Sequence, residues 1–165
     1  MPASPSDLFA YLDTLGIEHH TVEHAATFTV EEGRHLKAAL PGGHSKNLFM
    51  KDKDDTLVLV SAWAESQLRL NQLHKRLSTR RLSFASADLM LEHLGVVPGS
   101  VTAFALLNDP QNRVRFVADT ALLSFETVYF HPLVNTATTR INRDDFRRFV
   151  AATGHALTEV DFSDL

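Results

Sequence analysis

Lys46 and Asn47 follow a Gly42-Gly43 pair and precede the apolar run Leu48-Phe49-Met50. This sets an ammonium and a carboxamide at the predicted mouth of a strand. A lysine there offers three donors and a positive charge to a phosphate or a developing oxyanion, and the Asn47 carboxamide can donate and accept beside it. By residue type alone, a strand-end lysine is as a rule simply solvated. A second break, Pro98-Gly99-Ser100, precedes the run that starts at Val101. Glycine at such a point lets a ligand approach the backbone and turns N–H groups toward it, although an ordinary Pro-Gly β-turn accounts for the same residues. The third break carries His131 between the aromatic end of a strand and Pro132, ahead of Asn135, Thr136, Thr138 and Thr139. A histidine there suits orienting a water or a hydroxyl near neutral pH, and equally suits a backbone-bonded place at the edge of a core. The chain has no cysteine, which removes disulfides, thiolate metal sites and cysteine nucleophiles together.

The elements that must position these groups follow from local pattern. Ser4 and Asp7 suit the start of a first helix with Leu8, Tyr11, Leu12 and Leu15 at helical spacing and Gly16 at its end. Residues 17–24 form a short predicted strand. A capping box beginning at Thr29 opens a second helix through about Ala39, which Pro41-Gly42-Gly43 stops. The segments 47–51 and 56–62 are expected as a hairpin across the polar turn Asp52-Lys53-Asp54-Asp55. A helix from about Glu65 to Leu77, a short strand at 81–84 and a helix from Ser86 to Leu94 stopped by Gly95 follow. Residues 101–108 are expected as a strand that pairs in a hairpin with 113–119 across Asp109-Pro110-Gln111-Asn112. Strands at 127–130 and 137–141 precede a helix capped by Asn142, with Phe146, Phe149 and Val150 inward and Gly154 closing it. Interleaved helices and hairpin-linked strands predict an α/β protein of the α+β type, with helices packed around a mixed, largely antiparallel sheet. With 165 residues, 44% of them hydrophobic, and no linker or repeat, residues 1–165 are expected to form one domain.

Taken together, the motif-bearing segments resemble the YbaK/ProX family of aminoacyl-tRNA deacylases, related to the editing domain of bacterial prolyl-tRNA synthetases. The resemblance runs through 24–33 (HAATFTVEEG), SKNLFMKDK, LSFAS at 82–86, LGVVPGSVTAFALLND and VYFHPLVNTATTRI, nearly the whole chain. Within the family it is strongest to the free-standing alanyl-tRNA(Pro) deacylases. It implies an editing-domain fold and hydrolysis of a mischarged aminoacyl ester without metal or other cofactor. Lys46 matches the family's essential lysine, Asn47 the polar residue beside it, Gly99 the glycine of a G-x-x-x-P loop at the scissile ester, and His131 the histidine of the alanine-specific branch. Ser45, Ser100 and Ala103 are assigned with them to substrate binding. Ala103 stands where the family usually has proline, and Ala25-Ala26 replaces a proline-containing pair. The implied partners are the aminoacylated acceptor end of tRNA(Pro) and, transiently, prolyl-tRNA synthetase; cysteinyl- or seryl-tRNA is the alternative substrate.

Charge and spacing bound these readings. A net charge of −4 and a pI near 6.1 argue against a general nucleic-acid coat, so a tRNA contact must be local. The densest basic cluster, Lys75, Arg76, Arg80 and Arg81, is the candidate grip on acceptor-stem phosphates, and an ordinary solvated helix face is its rival. Arg143, Arg147 and Arg148 form a weaker second patch. The nine histidines prompt a metal reading, but His20 and His24 on one strand would lie about 13 Å apart, too far to share one ion. A non-catalytic tRNA-binding module on the same fold is the remaining rival. No apolar run approaches the roughly 18 residues of a membrane span, and the start lacks the pattern of a secretory signal; a cytoplasmic protein without membrane contact is expected.

Overall fold

The computed structural model describes residues 1–26 and 30–163. Helix α1 (Pro5–Thr14) starts where the sequence places it. Ser4 Oγ accepts from the Asp7 amide while the Asp7 carboxylate accepts from the Ser4 amide, and Leu8 and Leu12 are buried. Strand β1 (His19–Glu23) leads to α2 (Val30–Ala39); the predicted cap at Thr29 lies outside the described residues. Next come the hairpin β2 (Gly43–Lys51) and β3 (Leu57–Trp63), then α3 (Leu73–Leu77), β4 (Ser83–Phe84) and α4 (Ala87–Leu94). The chain continues through β5 (Val114–Asp119), α5 (Thr120–Leu123), β6 (Thr127–Phe130), β7 (Ala137–Asn142), α6 (Arg143–Ala152) and β8 (Leu157–Val160).

One mixed sheet runs β1-β7-β6-β2-β3-β5-β8, with β4 added to β2. The pairings β1·β7, β7·β6, β2·β3 and β2·β4 are antiparallel, while β2·β6, β3·β5 and β5·β8 are parallel. Mixed and mostly antiparallel, it is the expected class. Its central strands are covered on both faces, which is why β3 opens on four consecutive buried apolar residues, Leu57, Val58, Leu59 and Val60, rather than alternating. Phe49, Leu59 and Phe116 share one core with Leu8, Leu12, Phe104, Phe130, Phe146 and Phe149. Phe130 stacks on Phe146 at 4.5 Å and Phe104 meets Phe149 edge-on at 5.3 Å. Truncating any such phenylalanine to alanine would cost about 3–5 kcal/mol. On the opposite face Met50, Val58, Val60 and Val117 pack with Leu73, Leu77 and Phe162.

Several local expectations fail for definite reasons. Residues 103–108 form a 3₁₀ helix, not a strand: Thr102 caps it through Oγ1, and Ala103, Phe104, Ala105 and Leu106 are all buried. A short run buried on every side carries no period that separates strand from helix. Strand β5 therefore has no hairpin partner there and pairs in parallel with β3 and β8. The helix expected from Glu65 shrinks to a 3₁₀ turn at Leu70–Gln72 and α3, because the Ser66 side chain and carbonyl are bonded elsewhere. Strand β2 opens at Gly43, so Lys46 sits inside a strand rather than at its mouth. The short elements α5 and β8 have no counterpart among the expected elements.

Candidate functional site

The Gly42-Gly43 pair is a requirement of close approach. Gly42 has φ +141°, and a Cβ there would meet the Thr127 carbonyl and the Tyr129 ring at 2.8 Å; one on Gly43 would meet Phe125 at 2.7 Å. Only glycine lets β2 come this near β6. Beyond it, side chains alternate, so His44 and Lys46 leave one face of β2 while Ser45 and Asn47 leave the other.

On the first face lies a cleft of about 320 Å³, lined by His44, Ser45, Lys46, Tyr129, His131 and Thr138, with Leu36 and Lys37 of α2 along its side. No aspartate or glutamate is among the described residues that line it. Lys46 Nζ donates to the Ser66 carbonyl, which occupies one of its three donors. The His44 ring lies flat on Tyr129, 4.3 Å between centroids and 5° from parallel, and bonds the Leu40 carbonyl at 2.7 Å through Nε2. Burial holds His44 below the ordinary histidine range, the Leu40 bond opposes this, and the Lys37 ammonium lowers it further. The ring is thus neutral near pH 7. Burial raises the Tyr129 hydroxyl, which donates to Pro41 O at 2.9 Å. His131 Nδ1 bonds Ala137 O at 2.9 Å; with a proton on Nδ1, Nε2 remains an acceptor with no partner among the described residues. His24 stands 6.2 Å from His131, ring to ring, and its Nε2 reaches Thr138 Oγ1 at 2.8 Å.

Of the residues singled out from sequence, Lys46, Ser45 and His131 meet in this cleft. Asn47 does not line it. It belongs to a polar chain on the other face, accepting from Ser61 Oγ and donating to Ser45 Oγ at 3.1 Å, with Ser45 in turn bonded to Tyr129 O at 2.6 Å. Gly99 (φ +93°) adopts the left-handed backbone its residue type permits and abuts Asn135, four residues beyond His131; Ser100 and Ala103 are buried beneath that loop, and none of the three lines the cleft. Lys75, Arg76, Arg80 and Arg81 are exposed. Arg76 is bonded to Asp161 O at 2.7 Å and Arg80 lies 3.8 Å from Asp54, whereas Lys75 and Arg81 have no partner among the described residues. Their helix α3 packs on the Met50 and Val60 side of the sheet, the side from which Lys46 projects. In the second patch, Arg147 pairs with Glu159 at 2.8 Å, Arg148 with Asp145 at 2.9 Å and Arg143 with Asp144 at 3.4 Å, so its charge is satisfied internally. Sequence reasoning missed Lys37, His44, Tyr129 and Thr138. The two-residue spacings His44/Lys46 and Tyr129/His131 were the available signal. Among the described residues no three His, Asp or Glu side chains gather as around a metal ion.

A solved structure of a candidate trans-editing enzyme for prolyl-tRNA synthetase superimposes with a TM-score of 0.68 at 19% identity, covering 98% of this chain and 99% of that one. The two chains thus share one α/β fold. The chain belongs to the aminoacyl-tRNA editing domain family, whose model matches residues 24–149. It is 42% identical to mouse prolyl-tRNA synthetase associated domain-containing protein 1 over 155 residues, 91% of each chain. It is also 31% identical to the prolyl-tRNA editing protein ProX of Acetoanaerobium sticklandii over 93% of this chain and 94% of that one. No helix among the described residues is long and apolar enough to cross a membrane.

Proposed function

We propose that this chain is a cytoplasmic, metal-independent deacylase that hydrolyses mischarged alanyl-tRNA(Pro) in trans. The observation that carries the reading is the meeting of Lys46 and His131 in one small cleft, with no carboxylate among the described residues that line it. An aminoacyl ester is already activated, so its hydrolysis needs a placed water, stabilisation of charge at the carbonyl and exclusion of the wrong group. Water oxygen bonds to the carbonyl carbon, the bond to the terminal ribose oxygen breaks, and a proton passes from the water to that oxygen. Lys46 supplies positive charge at the developing oxyanion or the adjacent phosphate, and Lys37 adds a second ammonium to the same cleft. His131 Nε2 accepts a proton-bearing hydroxyl or water and orients it. Asn47 holds the strand through Ser45 and Ser61, while Gly99, Ser100 and Ala103 shape the loop against Asn135. Lys75 and Arg81 contact acceptor-stem phosphates on the same side of the sheet.

Alanyl over prolyl selectivity needs only steric refusal of the larger ring, which a small cleft provides more readily than it separates groups one methylene apart. The names of the ProX and mouse relatives support proline tRNA as the substrate and transient association with prolyl-tRNA synthetase. A panel of alanyl-, cysteinyl-, seryl- and prolyl-tRNA(Pro) with the purified protein tests the assignment. Alanine should be released fastest and prolyl-tRNA left intact. Faster clearance of cysteinyl- or seryl-tRNA would transfer the specificity, and tight tRNA binding without release of any amino acid would make this a binding module.

A further inference from the structure

Asp119 is buried, 1% exposed, and has no cationic partner among the described residues. Its Oδ1 accepts from the Ala121 amide at 3.0 Å and caps α5. Its Oδ2 accepts from the Trp63 amide at 3.1 Å and from Ser66 Oγ at 2.6 Å. The turn so gripped is closed by Ser66 N donating to Trp63 O at 2.9 Å, and its start is tied to β2 by Ala64 N donating to His44 O at 2.8 Å. The Ser66 carbonyl is the acceptor for Lys46 Nζ. A buried anion and a half-buried cation thus hold the two ends of a single serine, one through its hydroxyl and the other through its carbonyl.

We propose that Asp119, acting through Ser66, is a positioning residue for Lys46: it fixes the carbonyl that aims the ammonium across the cleft. The physical reason is the freedom of the lysine stem, four rotatable carbons whose tip must be held near its working place, because a misplacement of about 1 Å can cost on the order of 10²-fold in rate. Residues 65–69 belong to no helix or strand, so beyond the Ser66 N–Trp63 O bond of the turn the acceptor is held in place through Asp119. The inference rests on the reading of Lys46 given above, and its test has a readout that does not depend on activity.

The tests are Asp119→Asn, Ser66→Ala and Ser66→Thr. The carboxamide introduced by Asp119→Asn leaves one acceptor oxygen for the Ala121 amide on one side and Trp63 N and Ser66 Oγ on the other, so whichever way it turns an NH₂ faces a former donor and the clamp between α5 and the turn is broken on one side. Ser66→Ala cuts only the hydroxyl link, and Ser66→Thr retains it. The Lys46 side-chain NMR signal, identified by its disappearance in Lys46→Ala, should move toward that of a solvated lysine in Asp119→Asn and Ser66→Ala, with faster exchange of its ammonium protons. Ser66→Thr should restore it. Single-turnover deacylation should fall about tenfold to 10²-fold in kcat, with KM little changed, and the Asp119→Asn/Ser66→Ala double variant should be no slower than Asp119→Asn alone. A Lys46 signal unmoved in both variants would overturn the positioning role, whatever their melting temperatures. Activity surviving in Lys46→Ala while the signal shifts as described would sink the functional reading and leave the positioning intact.

Discussion

Lys46 does two jobs that a strand-end lysine would not. Its stem lies in β2 and its ammonium bonds a turn carbonyl, so Lys46→Ala removes a charged hydrogen bond as well as the charge proposed to act at the ester. Loss of stability on the order of 1 kcal/mol is expected, because the freed Ser66 carbonyl is only half-buried and water can reach it. The rate loss is larger, roughly 10²–10³-fold, as for removal of one oxyanion donor; Lys46→Arg should not restore it fully, since the planar guanidinium places its charge differently. A variant that melts as expected yet clears alanyl-tRNA(Pro) at the unsubstituted rate would refute the mechanism. His44 supplies a pH dependence of opposite character. Its folded-state value lies below the 6.5 of a free ring, so between the two the unfolded chain binds more protons than the folded one. Its contribution is complete above about pH 6.5 and is lost as pH falls toward the depressed folded value. His44→Gln should therefore flatten the decline in melting temperature between about pH 7 and pH 5; an equal decline in both proteins would show the ring to be unimportant.

At the level of elements, the 3₁₀ helix at 103–108 changes what a proline at Ala103 would do. Ala103 is its first residue, its amide makes no hydrogen bond among the described residues, and Thr102 before it is extended, all of which proline tolerates. The site is fully buried, so the added ring carbons must be absorbed by the core at up to about 1–3 kcal/mol, against about 0.4–1 kcal/mol gained from a stiffer unfolded chain. Ala103→Pro should thus change stability modestly, and should shift the ratio of alanyl to cysteinyl deacylation through the Gly99 loop that leads into it. Unchanged rates on both substrates would make the substitution neutral. For α3 and its exit, Lys75 and Arg81 are the cations without a partner among the described residues. Replacing both with alanine should weaken tRNA binding most at low salt and reduce the slope of log K against log salt by about one for each phosphate no longer neutralised, leaving the saturated single-turnover rate unaltered. Identical salt slopes would mark the patch as a solvated face.

For the whole molecule, the site exists because of one non-local pairing. β2 runs parallel to β6 with Gly43 opposite Val128 and His44 opposite Tyr129, and from that short pairing the two chains continue to Lys46 and His131, which line the same cleft. The antiparallel β1·β7 pair then brings His24 alongside Thr138. The resulting cleft gathers ammonium, imidazole and hydroxyl groups but no set of metal ligands among the described residues. Deacylation is accordingly expected to survive exhaustive EDTA treatment, and loss of activity that zinc restores would contradict it.

The boundaries of most elements were legible locally. Ser4, Ser86 and Asn142 cap their helices through the side-chain bonds their types predict, and Gly95 and Gly154 take positive φ at or just beyond helix ends. Lys46, Ser45 and His131 were legible too, because polar groups at glycine-bearing breaks beside apolar strands stand out in sequence. The sequence did not disclose that 103–108 would coil rather than extend, since burial on all sides erases the period. Nor did it disclose which strands become parallel neighbours, because that choice joins residues 85 positions apart, as in Gly43 and Val128, and depends on how the whole set of apolar faces is covered. Strand alternation alone sends Lys46 and Asn47 to opposite faces once β2 begins at Gly43, whereas only the tertiary choice drew His44, Tyr129 and Lys37 into the cleft and placed the Asp119 carboxylate behind the turn that holds the Lys46 ammonium.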